Sequence, residues 1–150
     1  MSTLIYCSST GFGAEGPFGG FPRSDAVAVA LSGHISVNGS PESGPIRIGV
    51  PIVDLATGLY ASIGILMAAQ ERHRSGLGQR VDTSLFDTGF ALLHPHAANY
   101  FMSGKMPVLT GTCHPNISPY EQYATRQGLL FLASGNNRKF PSACRGSGSP

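Results

Sequence analysis

Charged side chains are scarce in this sequence. They make up 12% of its 150 residues, about half the share of an ordinary soluble domain. A surface so poor in charge predicts that much of it lies against other protein instead of water. The formal net charge is only +2, and the lysines and arginines are scattered along the chain. Both features argue against nucleic acid as a partner.

Cysteines are also few. Cys7, Cys113 and Cys144 lie far apart and are odd in number, which argues against a disulfide framework and favours a reducing compartment. Their spacing does not match a zinc site. The first residues, M-S-T-L-I-Y-C, include neither a basic segment nor a long apolar core. We therefore expect no signal peptide, no membrane span, no membrane partner and a cytoplasmic location.

Apolar residues are abundant enough for a folded core. They make up 41% of the chain, which excludes general disorder. The length suits one domain or part of a larger one.

The stretch from Gly49 to Asp82 places one carboxylate, Asp54, between two apolar segments. Asp54 stands between a short apolar run, Ile48 to Val53, and a long apolar segment that begins at Leu55. This pattern predicts a strand, a tight junction and a buried helix. Local spacing leaves two hypotheses for Asp54: an N-cap of the helix, which is the commoner use of such a residue, or a carboxylate that a substrate can approach. Gly58 and Gly64 predict close packing or substrate access, since glycine weakens a helix.

The flanking segments predict local structure. We expect a strand at 3–8, a helix from a Ser24-Asp25 cap to Gly33, and a surface loop at 34–47 in which His34 satisfies a local hydrogen bond. A strand at 79–84 follows, then a helix at 85–93 that Pro95 interrupts, and a hairpin at 121–133. A strand, a helix and a strand in that order predict a partly parallel sheet.

Two motifs are only weak evidence for a ligand, one for a dinucleotide and one for a metal ion. Gly11 to Gly16 spells G-x-G-x-x-G after a strand, but prolines and glycines follow where a dinucleotide fingerprint must open a helix. We interpret it as a flexible strap that can approach a bulky ligand. His94 and His96 lack a third ligand nearby, so we expect no metal.

Six blocks carry a resemblance to a known family. They are I-Y-C-S-S-T-G-F-G-A-E-G-P, S-D-A-V-A-V-A-L-S-G, G-V-P-I-V-D-L-A-T-G-L-Y-A-S-I-G-I-L, R-S-G-L-G-Q-R-V-D-T-S-L-F-D, A-A-N-Y and H-P-N-I-S-P-Y. In this order and spacing the chain resembles the class III CoA-transferases, which include formyl-CoA and carnitine-CoA transferases, over about residues 4 to 140. The resemblance implies that Asp54 is the covalent nucleophile of a transfer of CoA from an acyl-CoA to a carboxylic acid through an aspartyl-CoA intermediate.

The resemblance also implies the other site residues and partners. CoA is a substrate, with no permanently bound cofactor and no metal, and the full-length protein is expected to be an intertwined homodimer. The CoA-binding residues implied are Thr10, Gly11, Phe12 and Leu85. The implied active-site loop carries His114, Asn116 and Ile117.

An α/β fold is implied: a partial Rossmann-like large domain with a parallel βαβ unit, a linker helix and the start of a small α+β domain. The expected division is 1–85 for the large domain with the nucleophile, 86–110 for the linker, 111–140 for the start of the small domain and 141–150 for a disordered tail. The chain resembles a truncated middle portion, which we expect to be inactive alone.

Alternatives stay open at this point. The chain is also interpretable as a non-catalytic structural or interaction fragment of the fold. An acyl-CoA racemase is disfavoured, because racemases of similar sequence have a histidine where this chain has Ser24. A eukaryotic source would allow a mitochondrial or peroxisomal location.

Overall fold

The elements follow one another along a computed structural model that describes residues 3–22 and 24–146. In chain order they are β1 (Tyr6–Thr10), α1 (Asp25–Leu31), α2 (His34–Val37), β2 (Gly39–Ser40), β3 (Gly44–Pro45), α3 (Ile52–Ser75), β4 (Arg80–Ser84), α4 (Leu85–Leu92), α5 (His96–Ser103), β5 (Tyr120–Thr125), β6 (Gly128–Ala133) and α6 (Phe140–Gly146). The mixture confirms the predicted α/β class.

Strands β1 and β4 form a parallel pair. Tyr6 lies opposite Arg80, and Thr10 lies opposite Ser84. The predicted parallel arrangement is therefore present, but its first strand is β1. The predicted strand at 48–53 is wrong, because the backbone there bends and the helix already begins at Ile52.

Helix α3 packs on this pair through a stripe of small residues. Val53, Thr57 and Ala68 are buried along one face. Gly64 lies on the same face, where an added Cβ would come within 2.6 Å of a methyl carbon of Val81 on β4. Because residues at steps of three and four share a helix face, this stripe brings the helix backbone close to the strand.

The core of the described residues lies where three helices meet. Ala28 and Val29 of α1, Val53 of α3 and Leu85 of α4 are each at most 1% exposed and form one cluster, with Ile35 packed against it. Val53 immediately precedes Asp54, so the first turn of α3 is held by the best-packed part of the chain.

The rest of α3 is not buried, contrary to the expectation of a helix covered all round. Leu59, Leu66 and Met67 are each more than 65% exposed, because among the described residues the contacts of α3 with other elements lie on its opposite face. By length and composition alone, α3 could also cross a membrane, with a mean hydropathy of 1.7 in its most apolar window. The mostly buried core helix of a soluble protein passes the same test of length and composition, so the finding assigns no location.

The remaining local predictions have mixed outcomes. Segment 34–47 is not a plain surface loop, since it contains the short helix α2 and the β2–β3 hairpin. Helices α4 and α5 are separated at Pro95 as predicted, and β5 and β6 form the predicted antiparallel hairpin. The tail prediction is wrong for its first part, because Phe140–Gly146 is helical, while 147–150 lie outside the described residues. The division into large domain, linker and small domain stays a prediction.

Candidate active site

Asp54 does not cap its helix. The N-cap of α3 is Pro51, and Asp54 is the third helical residue. Its carboxylate is exposed, and among the described residues none donates a hydrogen bond to it. The capping hypothesis for Asp54 is therefore wrong.

Every amide of the first turn of α3 has another acceptor. The Ile52 amide donates to the Val50 carbonyl at 2.8 Å, and the Leu55 amide donates to the Pro51 carbonyl at 3.1 Å. The amides of Val53 and Asp54 both donate to Oδ1 of Asp25, each at 3.1 Å. A carboxylate from another helix thus does the capping that was one of the two hypotheses for Asp54.

Asp54 lines a cavity of about 460 Å³ with Ser9, Ser24, Thr57, Gly58, Ala61 and Leu85. Four elements build this cavity: the end of β1, the residue before α1, the first turns of α3 and the start of α4. The carboxyl end of a parallel strand and the N-terminus of a helix meet there, which is where ligands bind in open α/β sheets.

The two glycines of α3 serve different purposes. An added Cβ at Gly58 would meet no atom within 4 Å, whereas one at Gly64 would collide with Val81. Gly58 lies one turn after Asp54 and lines the same cavity. The sequence prediction of close packing is therefore confirmed at Gly64, whereas substrate access at Gly58 stays a prediction.

The residues predicted to contact CoA are divided between two places. Leu85, at 1% exposure, forms part of the wall beside Asp54. Thr10 lines a neighbouring cavity of about 420 Å³ with Glu15 and Arg80. Gly11 accepts a hydrogen bond from the Phe86 amide at 3.0 Å, and the ring of Phe12 lies 6.1 Å from that of Phe86. The start of the strap, at Gly11 and Phe12, thus contacts the start of α4, next to the Asp54 cavity.

The predicted active-site loop lies elsewhere in this chain. The ring of His114 contacts Tyr120 of β5, with 5.2 Å between centroids. Asn116 exchanges two amide hydrogen bonds with Asn99 of α5, at 2.6 and 3.0 Å. Asn116 and Ile117 line a separate cavity of about 430 Å³. Closure of this loop over Asp54 stays a prediction.

Histidines and cysteines do not form a metal site in the part of the chain that the structure describes. Burial lowers the pKa of His96 from its ordinary value, and His114 and His34 lower it further. His34 is buried, and its Nε2 lies 2.8 Å from the Gly89 carbonyl, so it satisfies a hydrogen bond that is distant in sequence rather than local. The Cys113 thiol donates to Glu121 at 2.8 Å, which raises the pKa of that thiol.

Sequence reasoning missed Asp25 and Ser9. Asp25 was interpreted only as part of the start of α1, because nothing in its own segment points to a helix that begins 27 residues later. One signal was available. Pro51 has no side-chain acceptor and no amide hydrogen, so the amides of the helix that follows it need an acceptor from outside their own segment.

Comparisons with known proteins show the family of this chain. The family model described as CoA-transferase family III matches residues 2–150. The chain is similar to succinate–glutarate CoA-transferase from Agrobacterium fabrum, with 43% identity over 94% of this chain and 35% of the relative. It is also similar to the human succinyl-CoA:glutarate CoA-transferase, with 38% identity over 95% of this chain and 32% of the relative. The chain thus spans about one third of the length of these relatives.

A solved structure has the same fold. The crystal structure of a CAIB/BAIF family protein from Brucella suis matches with a TM-score of 0.80 and 39% identity, covering 97% of this chain and 39% of that one. On these findings, the chain belongs to CoA-transferase family III.

Proposed function

We propose that this chain carries the nucleophile of a CoA-transferase, and that the nucleophile is Asp54. The single observation that supports this most directly is an exposed carboxylate, free of hydrogen bonds from the described residues, on the wall of a cavity. Family membership supplies the reaction class. A carboxylate suits acyl transfer, because an acylated aspartate stays activated and divides one difficult exchange into easier steps.

The proposed reaction has two balanced halves. An oxygen of Asp54 attacks the thioester carbonyl of the donor, forming a mixed anhydride and releasing CoA thiolate. The thiolate then attacks the Asp54 carbonyl, which releases the donor acid and leaves an aspartyl-CoA thioester. The acceptor carboxylate reverses these steps and leaves as its own CoA thioester, so Asp54 is regenerated.

Short dicarboxylic acids are the proposed acyl groups. The names of the relatives from A. fabrum and Homo sapiens specify succinate or succinyl-CoA and glutarate. Succinyl-CoA with glutarate is therefore the first donor and acceptor pair to test. Ser24 lines the cavity, and its hydroxyl is a far weaker base than imidazole near neutral pH. We therefore expect no solvent deuterium at the α-carbon of the acyl group.

We propose a cytoplasmic homodimer as the acting form, and we propose that the 150 residues alone do not complete turnover. Support comes from the apolar surface that this chain leaves open and from the one-third span of the relatives. The competing possibility is a module that only assembles with other protein. Titration with CoA separates the two, since a purely structural module binds no CoA.

The decisive experiment traps the intermediate. The chain is incubated with succinyl-CoA and hydroxylamine and then digested for mass spectrometry, because hydroxylamine converts an aspartyl thioester into a hydroxamate. We expect the hydroxamate at Asp54 and none in Asp54→Asn, while Glu71→Gln, at the far end of α3, reacts like the unmodified chain. A folded, CoA-binding sample with no modification at Asp54 contradicts the proposal.

A further inference from the structure

Asp25 reaches across the core to the helix that carries the nucleophile. It is the first residue of α1, and its Oδ1 accepts both the Val53 and the Asp54 amides at 3.1 Å. Its other oxygen, Oδ2, is buried and has no hydrogen-bond partner within the described ranges. Among the described residues, the hydrogen bonds of this carboxylate therefore go to the first turn of α3, although residues 25 and 54 are far apart in the chain.

The start of α3 needs this acceptor. Its N-cap is Pro51, which makes no side-chain capping bond. The free amides of a first helical turn require an acceptor from a side chain or from water. Here the second and third amides receive a negatively charged one, which also favours the positive end of the helix.

The same arrangement keeps the Asp54 side chain unoccupied. An acidic residue at the third helical position commonly turns back to bond the N-cap amide in a capping box. Pro51 has no amide hydrogen to offer. Two further donors of the first turn, the amides of Val53 and of Asp54 itself, are already bonded to Asp25. Both usual partners of such a carboxylate are therefore removed.

We propose that Asp25 is the positioning residue of the nucleophile: it fixes the first turn of α3 and holds the amides that would otherwise bind the Asp54 carboxylate. The inference rests on the proposed function, since it concerns the readiness of Asp54 to attack a thioester. It also makes a structural claim that can be tested without any turnover.

The test compares Asp25→Ala and Asp25→Asn in the complete 150-residue chain. Alanine removes the acceptor, whereas asparagine keeps a carbonyl oxygen of similar reach. Amide hydrogen exchange is followed at Val53 and Asp54 by NMR, together with the ¹³Cγ signal of Asp54. The rate of hydroxamate formation at Asp54 is measured in parallel.

In Asp25→Ala we expect exchange at the two amides to rise about 10-fold or more, as for loss of a hydrogen bond to a charged group. The Asp54 ¹³Cγ signal should move as its carboxylate binds the freed amides. Hydroxamate formation should slow by about 100-fold, with the apparent affinity for succinyl-CoA changed little, because geometry and not binding is lost. Asp25→Asn should restore most of both the protection and the rate. Glu71→Ala, on the same helix but at its other end, should change none of these values.

The outcomes distinguish this inference from the proposed function. If Asp25→Ala leaves amide exchange and the ¹³Cγ signal unchanged, the positioning role is overturned whatever the chemistry. If exchange rises but the trapping rate stays the same, it is overturned as well. If the unmodified chain forms no hydroxamate, the proposed function fails. In that case the ¹³Cγ shift in the alanine variant, with recovery in the asparagine variant, still decides whether Asp25 keeps the Asp54 carboxylate free.

Discussion

At the scale of single residues, Gly58 determines how much space lies beside the Asp54 carboxylate. They lie one turn apart on α3 and line the same cavity, so the missing side chain at position 58 leaves room beside the carboxylate. Gly64, about three turns after Asp54 and on the face towards β4, has no such room. One helix therefore carries two glycines, one for the cavity and one for packing.

Alanine at these two positions should have opposite effects on stability. Gly58→Ala should raise the free energy of unfolding by about 0.5–1 kcal/mol, because alanine is the better helix former and its methyl group meets nothing. It should nevertheless slow hydroxamate formation at Asp54 by about 10-fold, since the methyl group occupies the approach to the carboxylate.

Gly64→Ala should lower the free energy of unfolding by about 1 kcal/mol or more, because the side chain of Val81 is stiff and cannot move aside easily. Denaturant unfolding and the trapping rate measure both effects. Equal destabilisation by the two variants, or an unchanged rate in Gly58→Ala, contradicts this assignment.

At the scale of elements, local signals predicted the break between α4 and α5 and the β5–β6 hairpin, but not the short helices α2 and α6. Pro95 separates α4 from α5, and the turn before Gly128 joins β5 to β6, because proline and glycine impose backbone geometry on their own neighbours. The strand predicted at 48–53 failed for a related reason. A short apolar run is equally compatible with a strand and with a segment that leads into a buried helix start.

The candidate site was predictable only in part. Asp54 and Leu85 line the same cavity, while their roles as nucleophile and CoA contact stay predictions. Asp25 could not be found from its own segment, because its partners are amides 28 and 29 positions away. Contacts of that kind depend on how α1 and α3 pack, and no local pattern encodes them.

The two serines that precede helices give a prediction at this scale. Ser84 caps α4, since its Oγ accepts the Asp87 amide at 3.1 Å. Ser24 occupies the same position before α1 but makes no side-chain capping bond. Ser84→Ala should therefore lower the free energy of unfolding by about 1 kcal/mol, whereas Ser24→Ala should change it by less than about 0.5 kcal/mol. Urea unfolding of both variants measures the difference. A loss in Ser24→Ala as large as that in Ser84→Ala would mean that Ser24 also caps its helix, as the sequence predicted for the Ser24-Asp25 pair.

At the scale of the whole molecule, the exposed face of α3 dominates. It lies opposite the buried stripe and carries Leu55, Leu59, Ile63 and Leu66, which are 53–69% exposed. An apolar stripe several turns long is unusual on a monomeric surface and indicates contact with other protein. The low charge of the chain points the same way.

We therefore expect the 150-residue chain to self-associate in a concentration-dependent way through this face. Leu59→Glu with Leu66→Glu should weaken association by about 100-fold or more, because each charge would be buried without a partner at the contact. Gln122→Glu with Gln127→Glu adds the same two charges on the exposed β5–β6 hairpin and should leave association unchanged. Sedimentation velocity over a concentration series measures all three proteins, and circular dichroism checks that each is folded. The two pairs of substitutions add the same number of charges and differ only in where those charges lie. If the substitutions on the hairpin weaken association as much as those on α3 do, then net charge governs association. In that case the exposed stripe of α3 is not the contact surface.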